Sequence, residues 1–136
     1  MSGIPAALRR LVVQRANGRC EYCGLAQVGQ EATFHIDPVS ADGPTTESNL
    51  ALACTSCSLR KEARRTAVDP QTGRKVSLFH PRRQRWLDHF RWEGMTVIGL
   101  SATGRATVSA LTMNRLSILV IREEETDRGR HPPPVE

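Results

Sequence analysis

The chain has 136 residues, 39% of them hydrophobic and 24% charged, and its formal net charge is +5. This length favours a single domain with a real core, and the composition excludes a chain that is disordered throughout. No apolar run reaches the roughly 18 to 20 residues of a membrane-spanning helix. The segment Met1–Pro5 lacks the pattern of a signal peptide, so we expect a cytoplasmic protein with no membrane partner.

The positive charge comes almost entirely from arginine, because Lys61 and Lys75 are the only lysines. A basic chain favours acidic partners, and nucleic acid is the first among them. Arginine also binds phosphates with a planar fork and stacks on bases. A coding bias towards arginine explains the excess equally well, so the charge supports nucleic-acid binding without establishing it.

The first half of the chain predicts a helix, a strand and a second, basic helix. Pro5 to Ala16 has the apolar spacing of a helix, which Asn17 and Gly18 end because both tolerate positive φ. Residues 32–36 are typical of a strand and residues 37–48 of a loop. Residues 58–66 are expected to form the basic helix.

The second half predicts an α/β extension. We expect a turn at residues 69–73, strands at 76–79 and 95–100, a break at Gly104, and helices at 82–90 and 105–125, the last interrupted near Asn114. The resulting organisation is a core of residues 1–66, an extension of residues 67–125 packed on it, and a disordered tail of residues 126–136.

Two C-x-x-C pairs, Cys20 with Cys23 and Cys54 with Cys57, are the strongest motif. Each pair brings two thiolates together on one tight turn, and two such turns complete a tetrahedral zinc site. Protein ligands then fill all four positions, so the Zn²⁺ is expected to be structural. A redox role for one pair is the competing interpretation, but it leaves the other pair unexplained.

The segment between the pairs resembles the HNH nuclease family. Phe34-His35-Ile36-Asp37-Pro38, a glycine turn at Gly43, Asn49-Leu50 and the second cysteine pair follow the family's order. The resemblance implies an α+β fold. Its core is a ββα-metal (HNH) unit stapled by the four-cysteine zinc site, with an N-terminal helix and a C-terminal α/β extension. It further implies a histidine that deprotonates water, and a Mg²⁺ or Mn²⁺ ion held by a carboxylate and a helix side chain.

Two alignments with the family place the active site differently. Without gaps, His35 is the general base, Phe34 takes the metal-carboxylate position, and Asp37 replaces it only if it turns inward. With a three-residue gap, Asp37 is the metal ligand, and Pro38 stands where the histidine base should follow. Both remain open, with a preference for the gapped alignment, in which Phe34 is an ordinary buried strand residue.

The remaining predicted site residues are polar or basic. Ser58 occupies the helix position at which the family has Asn or His, and its hydroxyl is able to bind Mg²⁺. Asn49 braces the loop, according to the resemblance. The predicted nucleic-acid contacts are Arg60, Lys61, Arg64 and Arg65. The resulting hypothesis is a metal-dependent HNH endonuclease that hydrolyses DNA, with RNA as the other candidate partner. The alternative is a catalytically impaired HNH-fold protein that only binds nucleic acid.

Overall fold

The computed structural model describes residues 3–134, which divide between two units. The N-terminal unit comprises Met1–Arg65 with His80–Gln84, and the C-terminal unit comprises Thr66–Phe79 with Arg85–Glu136. The return of residues 80–84 to the first unit was not expected from the sequence. Among the described residues, none of the helices has the length and apolar character that crossing a membrane requires.

The N-terminal unit begins with α1 (Ala6–Arg15), whose bounds agree with the sequence prediction. Pro5 is its N-cap, and its fixed φ suits the start of a helix. Asn17 and Gly18 follow with φ of 55° and 66°, the left-handed conformation that ends helices. Val12 is the residue of α1 that is buried, so the helix rests on a narrow apolar contact.

A ββα unit forms the rest of this core. Strands β1 (His35–Pro38) and β2 (Leu50–Ala53) pair antiparallel, with Asp37 opposite Ala51, and α2 (Thr55–Lys61) follows. All of β2 is buried. This order, with the mixed helix and strand content, confirms the predicted α+β fold class.

The bounds of β1 and α2 in the structure differ from those predicted from the sequence. β1 begins at His35 rather than Ala32 and continues through Asp37 and Pro38, which the sequence assigned to a loop. α2 starts inside the second cysteine pair and ends at Lys61, because Glu62 adopts a φ of 48° that no α-helix continues. The expected helical residues 62–66 are therefore not part of α2.

The C-terminal unit consists of two hairpins and three helices. Strands β3 (Thr66–Val68) and β4 (Lys75–Ser77) form the first hairpin, and β5 (Phe90–Glu93) and β6 (Thr96–Gly99) form the second. The helices are α3 (Trp86–His89), α4 (Ala102–Ala110) and α5 (Leu116–Asp127). Strand β3 was not predicted.

The predicted helix over residues 82–90 was wrong, because only α3 is helical there. Trp86 and Phe90 do contact each other, with ring centroids 4.9 Å apart, as their spacing suggested. Phe90, however, is the first residue of β5, where buried Phe90 and half-buried Trp92 alternate with exposed Arg91. This period of two is that of a strand with one face on the core.

Gly104 lies inside α4 and does not break the chain. A Cβ at this position would come within 2.1 Å of the carbonyl oxygen of His89, so glycine permits the close packing of α4 on that backbone. The expected interruption near Asn114 is present between α4 and α5. Asn114 accepts from the amide of Val97 and donates to its carbonyl, both at 2.9 Å, as a neighbouring strand would.

The predicted disordered tail is replaced by ordered structure as far as it is described. α5 continues to Asp127, and His131 is buried against Trp92 with ring centroids 4.6 Å apart. Its Nε2 lies 2.9 Å from the carbonyl oxygen of Gly94. The contact of His131 with Trp92 thus holds in place a segment whose prolines suggested disorder.

Candidate functional site

The four cysteines come together in the N-terminal unit. Their Sγ atoms all lie within 4.8 Å of one another, and all four residues are buried. Cys23 Sγ is 3.7 Å from Cys54 Sγ. Zn–S bonds of about 2.3 Å in a tetrahedron separate sulfur atoms by about 3.8 Å. The cluster therefore has the dimensions of a four-cysteine zinc site, as the sequence predicted.

Backbone amides complete the surroundings of the sulfur atoms. The amide of Cys23 donates to Cys20 Sγ at 3.5 Å, and the amide of Cys57 donates to Cys54 Sγ at 3.4 Å. Burial raises the pKa of Cys20, since a buried thiolate loses its hydration. Four thiolates buried so close together need a cation to compensate their charge, and Zn²⁺ is a cation that such a set of ligands is able to hold.

Asp37 and Ser58 form the polar pair of the ββα unit. The Ser58 hydroxyl donates to Asp37 Oδ2 at 2.5 Å, joining β1 to α2. Both residues are half-buried, so the pair is partly accessible from solvent. In the gapped alignment Asp37 is the metal ligand, and Ser58 stands at the helix position where the family has Asn or His. Two oxygen donors on neighbouring elements suit a hard divalent cation such as Mg²⁺.

His35 occupies the same strand as Asp37 but has different surroundings. Side chains two residues apart in a strand share a face, and their Cα atoms lie about 7 Å apart. His35 is exposed and pairs with Ala53 of β2, whereas Asp37 contacts α2. The residue after Asp37 is the exposed Pro38, which has no group able to accept a proton. His35 is therefore the residue of β1 that carries an imidazole, and this side chain is exposed to solvent.

Asn49 braces the loop between β1 and β2, the role that the resemblance implies. Its Oδ1 accepts from the amide of Ser40, and its Nδ2 donates to the carbonyls of Ser40 and Pro44, all at 3.0 Å. A Cβ at Gly43 would lie 2.6 Å from Asn49 Nδ2, so the loop requires glycine there. These three hydrogen bonds of the Asn49 amide hold the shape of the loop.

Lys61 differs from the other predicted nucleic-acid contacts. It is 5% exposed, and its Nζ donates to the carbonyl of Val39 at 2.8 Å. This bond ties the end of α2 to the residue that follows β1. Burial lowers the pKa of Lys61, because its charged form is partly removed from water. Lys61 is therefore too buried to be one of the predicted phosphate-contacting residues.

Arg60, Arg64 and Arg65 are exposed at and beyond the end of α2. Arg60 Nε donates to Ser56 Oγ at 3.1 Å, and Arg64 donates to the carbonyl of Arg60 at 3.2 Å. Arg65 forms an exposed ion pair with Asp42, 3.4 Å apart. Exposed ion pairs contribute little to stability, so Arg65 is able to exchange this partner for another anion.

Arg82 was missed by the sequence interpretation. Its guanidinium pairs with Glu21, the residue after the first zinc ligand, and both side chains are nearly buried. Glu21 also accepts from the amide of Leu52 at 2.9 Å and so links this pair to β2. The distant segment His80–Gln84 is therefore attached to the first cysteine turn, a contact across 61 residues that no local spacing reveals.

Comparison with known proteins identifies the same segment. Residues 20–64 match the family model described as HNH endonuclease. The match begins at the first zinc cysteine and extends past α2, so it includes the cysteine cluster, Asp37 and Ser58. No curated protein and no solved structure matches the chain. Residues 20–64 are thus similar to the HNH endonuclease family, whose general function is that of a nuclease.

Proposed function

We propose that the protein is an HNH-type endonuclease that hydrolyses phosphodiester bonds in DNA with a divalent metal ion. The observation that carries the proposal is the contact between Asp37 and Ser58, within the segment that matches the HNH family. Asp37 and Ser58 would hold Mg²⁺ or Mn²⁺ through oxygen atoms. When bound, such an ion supplies neutralisation of charge on the phosphate and on the leaving oxygen.

The chain's own residues have three roles in this proposal. His35 acts as the general base, because a neutral imidazole accepts a proton from water near pH 7 and His35 is open to solvent. Arg60, Arg64 and Arg65 contact backbone phosphates through their exposed guanidinium groups. The zinc site of four cysteines holds β2 and α2 in position and takes no part in the reaction.

A supercoiled-plasmid nicking assay with Mg²⁺ or Mn²⁺ tests the proposal. Zinc-loaded wild-type protein is compared with His35→Ala, Asp37→Ala and Glu31→Ala, where Glu31 is an exposed carboxylate of the same unit. We expect nicking by wild type and Glu31→Ala and its loss in the other two variants. Nicking that survives Asp37→Ala contradicts the metal-ligand assignment.

The second candidate is an HNH-fold protein that binds nucleic acid without cleaving it. Pro38 favours this alternative, because the gapped alignment requires the general base at that position and proline cannot serve. Salt-sensitive DNA binding by a wild-type protein that nicks neither with Mg²⁺ nor with Mn²⁺ would support it against the enzyme. Absence of both binding and nicking would contradict both candidates.

A further inference from the structure

The β3–β4 hairpin of the C-terminal unit leaves one complete face exposed. Thr66 pairs with Ser77 and Val68 pairs with Lys75, and all four are exposed. The opposite face carries the half-buried residues Ala67 and Val76, on the side against which α4 packs. Side chains of a strand alternate between its faces, so the four exposed residues form a single ribbon surface.

Hydrogen bonds from Asp69 fix the turn that joins these strands. Its carboxylate accepts from the amide of Gln71 at 3.0 Å and from the Thr72 hydroxyl at 2.8 Å. It also accepts from Arg105 Nε at 3.0 Å and Nη2 at 2.9 Å. The tip of the hairpin is therefore ordered before any partner binds, which lowers the entropy cost of binding.

Two cations at this ribbon have no partner among the residues that the structure describes. The side chains of Arg74 and Lys75 form no hydrogen bond or ion pair with any residue from 3 to 134. Both are exposed, and the nearby carboxylate of Asp69 is fully buried and neutralised by Arg105. Within that range Arg74 and Lys75 thus add uncompensated positive charge to a surface of small polar and apolar side chains.

We propose that the β3–β4 hairpin is a duplex DNA-binding ribbon that enters the major groove. Arg74 and Lys75 contact phosphates, while Thr66, Ser77 and Val68 face the groove. The major groove of B-form DNA admits a two-stranded β-ribbon, whereas that of A-form RNA is too narrow for side chains to read. This inference rests on the proposed function, which makes DNA the substrate, and adds a second contact surface outside the HNH segment.

Fluorescence anisotropy with a labelled DNA duplex tests the ribbon without added Mg²⁺ or Mn²⁺. The variants are Lys75→Gln, Arg74→Gln with Lys75→Gln, and Arg128→Gln as a control with the same change of charge. Arg128 is exposed in the C-terminal unit outside the hairpin. Because these side chains are exposed, thermal unfolding is expected to stay unchanged, which verifies that each variant is folded.

Each lost phosphate contact should weaken binding at 0.1 M salt on the order of tenfold. It should also reduce the slope of log affinity against log salt by about 1. We expect this for Lys75→Gln, twice this slope change for the double variant, and neither for Arg128→Gln. An equal effect in Arg128→Gln shows that net charge alone acts and overturns the ribbon.

The outcomes separate the ribbon from the proposed function on which it rests. A wild-type protein that does not bind the duplex contradicts both. If binding weakens on Arg60→Gln with Arg64→Gln but not on removing Arg74 and Lys75, only the ribbon is overturned. Binding of duplex RNA at equal affinity and with equal loss in the double variant also overturns it, since the major-groove argument then fails.

Discussion

Asn49 determines the shape of the loop that connects the two strands of the HNH segment. Its buried amide has three hydrogen bonds, and Ala in its place would leave the Ser40 and Pro44 backbone groups without partners. We expect Asn49→Ala to lower the free energy of unfolding by about 2 to 4 kcal/mol. Chemical denaturation of this variant and of the exposed control Ser48→Ala measures the difference. A variant as stable as the control would contradict the bracing role.

Cys54 links the zinc site to the start of α2. Its side chain is the N-cap of that helix and one of four candidate zinc ligands. We expect Cys54→Ser to lose the zinc, whose binding contributes on the order of 10 kcal/mol to folding. Zinc content by mass spectrometry and trypsin sensitivity at Arg15 and Arg19 are the measurements. Thr55→Ser is the control, and equal zinc content in both would disprove a structural site.

Pro38 offers a test of the gapped alignment by gain of function. It is exposed and follows Asp37, at the position where that alignment lacks a general base. A correctly positioned base contributes roughly 10²- to 10⁴-fold to a rate. Since the proposed base is His35, we expect Pro38→His to raise the nicking rate no more than Pro38→Ala does. A gain in a folded Pro38→His variant alone would argue for the gapped alignment and against His35 as the base.

The cysteine cluster was predictable from sequence, whereas the candidate hard-metal site was predictable only in part. The C-x-x-C spacing fixes two sulfur atoms on one turn, so four such residues specify a cluster without further knowledge. Spacing alone did not decide between His35 and Asp37, because it does not say which side chain meets α2. The burial of Lys61 was equally invisible, since a lysine beside three arginines looks like part of an exposed basic surface.

At the level of elements, the Asp69–Arg105 pair anchors the β3–β4 hairpin to α4. Hydrogen bonds from Arg105 lower the pKa of Asp69, so the pair contributes stability above the unfolded pKa of about 3.9. That contribution is lost as the pH falls from there through the folded pKa. We expect Asp69→Asn to lower the Tm at pH 7 by roughly several degrees, and the difference from wild type to shrink below about pH 4.

Tryptophan fluorescence is the suitable measurement for this prediction. Both tryptophans, Trp86 and Trp92, belong to the C-terminal unit, so their signal reports that unit even if acid releases zinc from the other. Asp88→Asn, an exposed carboxyl of the same unit, is the control. A Tm difference for Asp69→Asn that stays constant down to pH 2 would contradict the role of the ionised pair.

The local sequence pattern predicted helices and strands well where only one face of the element is buried. It predicted them poorly where close packing against other parts of the chain determines the conformation. α1 and the break between α4 and α5 follow from apolar spacing and from residues that stop helices. The segment from Arg82 to Phe90 was wrongly predicted to be one helix, because Trp86 and Phe90 contact each other across the junction of a short helix with a strand. Gly104 was wrongly predicted to break the chain, because its lack of a side chain allows α4 to pack closely on the backbone of His89. That tertiary contact is not visible in the local sequence.

At the scale of the whole molecule, the two units provide two candidate surfaces for one partner. Arg60 and Arg64 lie in the HNH segment and Arg65 follows it in the same unit, whereas the cations of the β3–β4 hairpin belong to the second unit. If both surfaces contact the same duplex, the salt dependence of binding should exceed what either supplies alone. We expect a variant that lacks both sets of cations to lose slope of log affinity against log salt by the sum of the losses of the two single sets. Anisotropy over about 50 to 200 mM salt measures this slope. A loss no greater than that of either single set would contradict joint contact.

Manganese binding is the measurement that tests the hard-metal site of Asp37 and Ser58 most directly. Mn²⁺ prefers oxygen ligands and does not compete for four thiolates, so zinc-loaded protein can be titrated without disturbing the cysteine cluster. By electron paramagnetic resonance we predict one Mn²⁺ per wild-type chain, its loss in Asp37→Asn, and its retention in the Glu31→Gln control. Wild-type protein that binds no Mn²⁺, or Asp37→Asn protein that binds it unchanged, would contradict a divalent-metal site between β1 and α2.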